Sequence, residues 1–141
     1  MREILFRGKR RDQFGMSLGE HDGEWVHGHY RYISAEDCGF HDEIWVDDGT
    51  GFFTVYSETV GQYTGLEDRN AKKIFDGDLV RDNAGWLYLV CWHEEALAWF
   101  VKGGKRDLYI PLADLDGCVK GGVEISGNIH DNAGLWEANN A

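Results

Sequence analysis

The sequence predicts a mostly-β protein in which an N-terminal β segment packs on a C-terminal SH3-like small barrel. Apolar and polar side chains alternate with a period of two along most of the chain, as strands with one buried face require. The 141 residues include 19 glycines and one proline, a balance that favours many tight turns. Hydrophobic residues make up 43% of the chain, which is too large a share for a disordered protein. The length suits one ordinary domain or two very small ones.

The N-terminal half of the chain predicts strands joined by polar loops. Residues 3–8 form the first predicted strand and residues 24–33 the second. Alternation in the second strand separates two sets of side chains, with a gap at Gly28: Trp25, His27, His29 and Arg31 on one face, and Val26, Tyr30 and Tyr32 on the other. Residues 34–42 are polar and predict a loop, and residues 42–60 predict a hairpin that turns at 48–51.

The second half predicts five short strands, and its length of about 75 residues is that of a small SH3-like barrel. Its clearest predicted strands lie at 86–92, 97–102 and 122–130, and Pro111 would begin one helical turn at 111–117. Residues 93–100 contain good helix formers but no cap, and eight residues are short for a helix, so a strand is favoured there. The composition changes near residue 60. We therefore predict three regions: an N-terminal β region at 1–60, the SH3-like barrel at 61–132 and a flexible tail at 133–141.

The glycine-rich stretch 59–80, TVGQYTGLEDRNAKKIFDGDLV, predicts turns rather than a phosphate-binding loop. A P-loop needs a lysine after its second glycine and a helix behind it, and Gly61-x3-Gly65 has neither. Asp68 and Asn70 supply side chains that cap their own turn, and Asn70 tolerates a positive φ. A glycine–aspartate step before a strand permits a bend and accepts backbone N–H groups. Structural roles are therefore predicted for eight residues: Gly61, Gly65, Asp68, Asn70, Gly77, Asp78, Gly127 and Asn128.

Two segments carry a resemblance to a known family, the stretch at 59–80 and EISGNIHDNAGL at 124–135. They resemble the YopX family of phage and prophage proteins, and the likeness touches nearly the whole chain. The resemblance implies an SH3-like C-terminal barrel, a source in a phage or prophage, and no catalytic residues. Ala71 stands where the family commonly has glycine, which implies a turn of a different type. Ala133 replaces the usual proline, which implies a looser C-terminal tail.

The chain carries a formal charge of −11, and this charge is distributed unevenly. The segment 1–11 holds five of the 14 cations and one of the 25 acids. That leaves 9 cations and 24 acids, a net charge of −15, in the rest of the chain. Because nucleic-acid affinity comes mainly from cations that contact phosphates, no direct nucleic-acid binding is expected.

Nothing in the sequence predicts export or membrane insertion. The longest apolar run, 86–92, has seven residues and is too short to cross a bilayer, and the N-terminus lacks the apolar core of a signal peptide. The three cysteines, Cys38, Cys91 and Cys118, do not suggest a disulfide framework. A cytoplasmic protein of the bacterial host cell, with no membrane partner, is therefore expected.

Histidines raise the alternative of a metal-binding or enzymatic protein. His27 and His29 share a strand face, and Cys38-x2-His41 could supply two further ligands. The competing interpretation is that both histidines fill a half-exposed strand face, since no paired Cys-x2-Cys motif supports a metal site. We expect no metal at these residues.

The sequence holds few other signs of catalysis. Glu94 and Glu95 beside His93 could form an acid–base cluster, but a solvated strand end is the commoner use of such residues. No nucleophile elbow and no His-Glu-x2-His motif occurs. Neither an enzyme nor a cofactor is therefore predicted.

The second half has more aromatic residues than a small barrel can bury: Trp86, Tyr88, Trp92, Trp99, Phe100 and Tyr109. Packing against the N-terminal half or another subunit is one use for them, and peptide binding is the other. We therefore predict an accessory protein that acts by protein–protein binding, with an unknown protein partner and self-association into a homo-oligomer. Gln62, Tyr63 and Thr64 are the candidate binding residues, unless they only fix a corner of the barrel.

Overall fold

The structure, a computed structural model, describes residues 3–14, 17–35, 39–46, 51–118 and 121–139. It is mostly β, as predicted, with two antiparallel sheets, one two-stranded ribbon and a few short helices. The chain divides into two units, residues 1–63 and 64–141. Within the described ranges no sheet closes on itself, and no helix is long and apolar enough to span a membrane.

The described part of the first unit contains short strands and a 3₁₀ turn at Ser57–Thr59. The strands that begin there are β1 (Phe6–Lys9), β2 (Gln13–Phe14), β3 (Ser17–Leu18), β4 (Trp25–Ala35), β5 (Gly39–Val46), β6 (Gly51–Val55) and β7 (Gly61–Glu67). Their order in the sheet of this unit is β6-β5-β4-β1-β7, while β2 and β3 pair with each other. β7 continues past residue 63 into the second unit.

The strand predicted at 24–33 is observed as β4, but the polar loop predicted at 34–42 is wrong. β4 continues to Ala35 and β5 begins at Gly39, so most of that segment is paired strand, and the pairing continues to the Ala35–Gly39 register. Cross-strand pairing therefore outweighs the polar composition of the segment. The predicted turn at 48–51 falls mainly on residues outside the described ranges, although β5 and β6 pair as the predicted hairpin.

The register gives the sheet of the first unit an inner and an outer face. Ile44 on β5 and Val55 on β6 lie on the inner face, and both are buried. The gap at Gly28 is a point of close backbone approach, because a Cβ there would overlap the carbonyl oxygen of Trp45. Glycine at this position therefore lets β4 and β5 pair.

The basic N-terminal segment is part of this fold. β1 lies between β4 and β7, and the chain beside it bonds to the end of β6. The backbone N–H of Arg11 donates to the carbonyl of Thr54 at 2.8 Å, and that of Tyr56 donates to the carbonyl of Lys9 at 2.9 Å. The guanidinium of Arg10 lies 4.3 Å from the centre of the Phe53 ring, a cation–π contact. Cations of this segment therefore take part in strand packing.

The described part of the second unit contains further short strands and two helices. They are β8 (Lys73–Phe75), β9 (Asp78–Arg81), β10 (Leu87–His93), β11 (Ala98–Gly103), β12 (Leu108–Pro111), α1 (Leu112–Cys118), β13 (Glu124–Asn128) and α2 (Ala133–Asn139). The sheet order is β12-β11-β10-β9-β13, and β8 lies beside β7. The core packs Val80, Val90 and Val101 of the sheet against Leu112 and Leu115 of α1, and all five side chains are buried.

Most elements predicted for the second unit are observed. β10 ends at His93 and β11 begins at Ala98, so segment 93–100 is not a helix but is strand at its ends and a turn at 94–97, where strand was favoured. The closing strand predicted at 122–130 is β13. The predicted helical turn is α1, but it begins at Leu112, because Pro111 ends β12.

A helix occupies most of the region expected to be a flexible tail. Ala133, which replaces the family's usual proline, is the first residue of α2. The carbonyl of Asn132 accepts the N–H of Leu135 at 3.0 Å and so begins the first turn. Trp136 anchors the helix beside Gly103, where an added Cβ would lie 3.1 Å from the indole ring. Residues 133–139 therefore have regular structure, and the looser tail stays a prediction.

Candidate functional site

Asp68 anchors the turn that the sequence predicts at 68–71. Its Oδ1 accepts the backbone N–H groups of Asn70 at 2.8 Å and Lys72 at 2.9 Å, and its Oδ2 accepts that of Ile125 on β13 at 3.0 Å. Burial alone would raise the pKa of Asp68, but these donors and the Lys72 ammonium outweigh burial and hold the pKa below its usual value. The ionised carboxylate therefore ties the turn to the sheet.

The left-handed residue of this turn is Ala71, with φ of 62°, and not Asn70. Alanine stands here at a position where the family resemblance has glycine. The backbone keeps a conformation that suits glycine, although an L side chain adopts it at some cost. The N–H of Ala71 donates to the carbonyl of Asp68 at 3.0 Å, which holds the turn closed.

Gly77 and Asp78 form the bend before β9, as predicted. Gly77 has φ of 88°, its N–H donates to the carbonyl of Val90 at 3.0 Å, and its carbonyl accepts the N–H of Ile129 at 2.8 Å. Asp78 is buried, and its Oδ2 accepts the N–H of Phe75 at 2.7 Å. Both residues therefore have structural roles in the bend.

Gly127 and Asn128 shape the exit from β13. The register shifts by one residue between Ile125 and Gly127, and an added Cβ at Gly127 would overlap the side chain of Asn132. The Oδ1 of Asn128 accepts the N–H groups of His130 at 3.0 Å and Asp131 at 2.8 Å. This segment therefore directs the chain from the sheet into α2.

The candidate binding residues Gln62, Tyr63 and Thr64 lie in β7, next to Gly61. Gln62 pairs with Phe6 on β1 and is half-buried. Tyr63 and Thr64 are 6% and 8% exposed, so their side chains present little surface to a partner. Thr64 Oγ1 accepts the N–H of Leu66 at 3.2 Å, a local contact.

The histidines of the metal alternative do not converge. His27 and His29 are exposed on one face of β4, whereas His41 lies opposite Ile33, four residues along β4 from His29, or about 13 Å at the rise of a strand. The Nε2 of His41 lies 2.7 Å from Glu43 Oε2. Cys38 lies outside the described residues, and within the described ranges no three or more His, Cys, Asp or Glu side chains are grouped to hold a metal.

Exposed aromatic residues of the second unit lie on the β10–β11 hairpin and on β12, and a further one, Trp86, precedes β10. Trp92 and Trp99 are paired across β10 and β11, with ring centres 5.0 Å apart in an edge-to-face arrangement. On the opposite face the ring centre of His93 lies 4.5 Å from that of Phe100 and 5.2 Å from that of Tyr109. We call residues 92–100 and Tyr109 the aromatic hairpin.

The tip of the aromatic hairpin presents an exposed apolar side chain. Leu97 is 72% exposed and has φ of 52°, a conformation that is unfavourable for a residue with a Cβ. Tyr109 is 52% exposed and Trp92 38%. Strained backbone that presents apolar surface is typical of sites under functional constraint.

His93 takes part in the turn at this tip. The backbone N–H of Ala96 donates to its Nδ1 at 3.0 Å, so the neutral ring carries its proton on Nε2. Glu94 and Glu95 are exposed in the turn. Burial raises the pKa of the Cys91 thiol, although Lys102 acts in the opposite direction, so the thiol is a poor nucleophile.

The family model described as "YopX protein" matches residues 6–137, nearly the whole chain. The chain belongs to the YopX family. No curated protein matches this YopX-family chain.

The YopX match spans the structural turns and the aromatic hairpin alike. The residues from Asp68 to Asn128 for which the sequence predicts structural roles make backbone hydrogen bonds or lie where an added Cβ would overlap a neighbouring side chain. The exposed position of Leu97 in a turn was not predicted, because strict alternation places Leu97 in a strand. The charged pair Glu94-Glu95 is the sequence signal that favours a turn there. Trp45 and Phe52 were also missed, since their exposed side depends on the register of three strands.

Proposed function

We propose that this YopX-family chain is a phage or prophage accessory protein that acts by binding another protein, with the aromatic hairpin as its contact surface. The observation that carries this proposal is the exposure of Leu97 at the tip of the β10–β11 hairpin and of Tyr109 on the adjacent β12, with Trp92 exposed on the opposite face. Aromatic side chains in such a position are enriched among the residues that dominate protein interfaces. Burying one large apolar side chain contributes about 1.5–3 kcal/mol.

An SH3-like barrel is the fold we propose for the second unit. Four strands, β9 to β12, follow one another across the sheet, and β13 returns to lie beside β9. α1 precedes that last strand. This order, with a helical turn before the returning fifth strand, is the order of SH3-like barrels, and it supports the proposal. The aromatic hairpin then projects from the second and third strands of the barrel.

Binding without catalysis fits the chemistry of the hairpin. His93 is engaged by the turn and by two aromatic rings, and the Cys91 thiol is protonated. The proposed site of action is the cytoplasm of the bacterial host cell, where a reduced thiol persists. The same hairpin is also the surface through which we expect self-association.

A pull-down tests the proposal. Immobilised protein is washed with lysate of host cells that carry the phage or prophage, and wild type is compared with the Leu97→Gly/Tyr109→Ala double variant. We expect a defined protein to bind the wild type and to be lost with the double variant. Tyr32→Ala is the matched control, because Tyr32 is 54% exposed in the first unit, and it should retain the protein. A wild type that retains no protein, or a double variant that binds as wild type does, contradicts the proposal.

A further inference from the structure

The outer face of the sheet in the first unit gathers cationic and aromatic side chains. The antiparallel register places His27 opposite Arg7, His29 opposite Trp45, and Trp45 opposite Phe52. Directly opposed residues project to the same side of a sheet, and so do alternate residues of one strand. We call the resulting set the outer platform: Trp25, His27, His29, Arg31, Trp45 and Phe52.

Trp45 and Phe52 form the exposed aromatic centre of the platform. Their ring centres lie 4.7 Å apart, and the two side chains are 37% and 45% exposed. The indole N–H of Trp45 donates to Glu43 Oε1 at 3.1 Å, and Glu43 is buried. The indole is therefore held in place while much of its surface stays open to solvent. Rings fixed in this way lose little conformational entropy when a ligand stacks on them.

The platform is also a local exception to the acidic charge of the chain. Arg31 is exposed on it, and the cations of buried Arg7 and half-buried Lys9 lie 4.5 Å and 5.5 Å from the centre of the Trp25 ring. Among the described residues of β1, β4, β5 and β6, the register places one acid on this face, Glu43, which is buried and hydrogen-bonded. These strands therefore set three cations against one buried acid on this face, with Arg31 the exposed cation, although the whole chain carries a charge of −11.

We propose that the outer platform binds single-stranded nucleic acid, with bases stacked on Trp45 and Phe52 and phosphates beside Arg31 and the histidines. Aromatic rings on a sheet face together with cations along the strands are the features that single-strand binding requires. A duplex keeps its bases stacked inside and would meet the acidic remainder of the chain, so it gains little from this face. The inference is independent of the protein-binding function proposed for the second unit.

Fluorescence anisotropy with labelled oligonucleotides tests the inference. The probes are a 15-nucleotide oligo-dT, an oligo-U of equal length and a 15-base-pair duplex, each titrated at about 50 mM and about 300 mM NaCl. We expect both single strands to bind more tightly than the duplex and to weaken as salt rises. The Trp45→Ala/Phe52→Ala double variant should weaken binding of oligo-dT by about tenfold or more, as loss of base stacking on aromatic rings does.

Matched variants separate stacking from charge and from damage to the fold. Trp92→Ala/Tyr109→Ala removes two exposed aromatic residues from the second unit and should leave affinity for oligo-dT unchanged. Arg31→Ala should flatten the salt dependence, and unchanged melting temperatures of the variants confirm their folding. No binding of either single strand at the lower salt overturns the inference. Binding that is as tight to duplex, or that survives loss of Trp45 and Phe52 in a folded variant, also overturns it.

Discussion

At the scale of single residues, Gly77 lies at a bend where the backbone has φ of 88° and both of its polar groups are bonded. The position has ordinary contacts for a Cβ, with Ile129 Cγ2 and His130 Nε2 each 3.4 Å away. The cost of a larger residue therefore comes chiefly from backbone strain at positive φ. Asp68 differs from Gly77, because it stabilises its turn through the negative charge of its carboxylate.

Gly77→Val should destabilise the protein by about 1–3 kcal/mol, because a β-branched residue is strained at positive φ. Thermal unfolding followed by circular dichroism measures the change. Gly134→Ala in the first turn of α2 is the matched control, since a Cβ there meets open space, and it should leave the melting temperature unchanged or slightly higher. An unchanged melting temperature in Gly77→Val would contradict the assigned bend.

Asp68→Asn should reduce the stability by about 2 kcal/mol near neutral pH, since the charged acceptor of three backbone N–H groups is lost. The pKa of Asp68 is lower in the folded state than its ordinary value of 3.8. The contribution of the Asp68 carboxylate to the free energy of unfolding is therefore complete above pH 3.8 and is lost as pH falls through the lower pKa of the folded state. Urea unfolding from pH 7 to pH 2 should show the variant and wild type converging in acid. A constant difference between them would count against this role.

At the scale of elements, the segment 34–42 is the clearest departure from what the sequence indicates, since most of it pairs as strand where a polar loop was predicted. Period-two alternation predicted the strands of both units well, because burial of one face imposes it. It failed at 34–42, where pairing extends strands through polar residues, and at Leu97, where the chain turns. The burial of Tyr63 and Thr64 was also not predicted, since it depends on contacts that are distant in sequence. The residues of the structural turns could be predicted, because glycine and aspartate are the residue types that tight turns favour.

Leu97→Gly should leave the stability of the hairpin unchanged or raise it by up to about 1 kcal/mol, since glycine adopts φ of 52° without strain. Leu97→Val, which keeps an apolar side chain but is β-branched, should be destabilising by about 1 kcal/mol. Chemical unfolding of the three proteins side by side measures both effects. A Leu97→Gly variant clearly less stable than wild type would mean that the side chain is needed by the fold itself and not for a partner.

At the scale of the whole molecule, each unit carries its own exposed aromatic surface. The outer platform belongs to the first unit and the aromatic hairpin to the second. Surfaces of this kind are uncommon on monomers unless they bind something. The proposed partners differ in class, so variants in one unit serve as controls for the other.

Self-association through the aromatic hairpin should be visible by sedimentation equilibrium at tens of micromolar protein. We expect an average mass above the 16.0 kDa of one chain, because closed homo-oligomers bury such surfaces. Trp92→Ala/Tyr109→Ala should shift the distribution toward the monomer, whereas Tyr32→Ala should not. A single species with the mass of one chain would contradict self-association and leave the hairpin to a different protein as its partner.

The central position of β1 also has a consequence for synthesis on the ribosome. Phe6 pairs with Gly28 on one side and with Gln62 on the other, so the second partner is translated long after the strand itself. The 34 residues from Gly28 to Gln62 take roughly 2–7 seconds to translate at about 5–20 residues per second. During that time the nascent β1–β4 pair has an open edge, to which chaperones or neighbouring nascent chains can add a strand. Slower translation between Gly28 and Gln62 would prolong that exposure and lower the yield of folded protein.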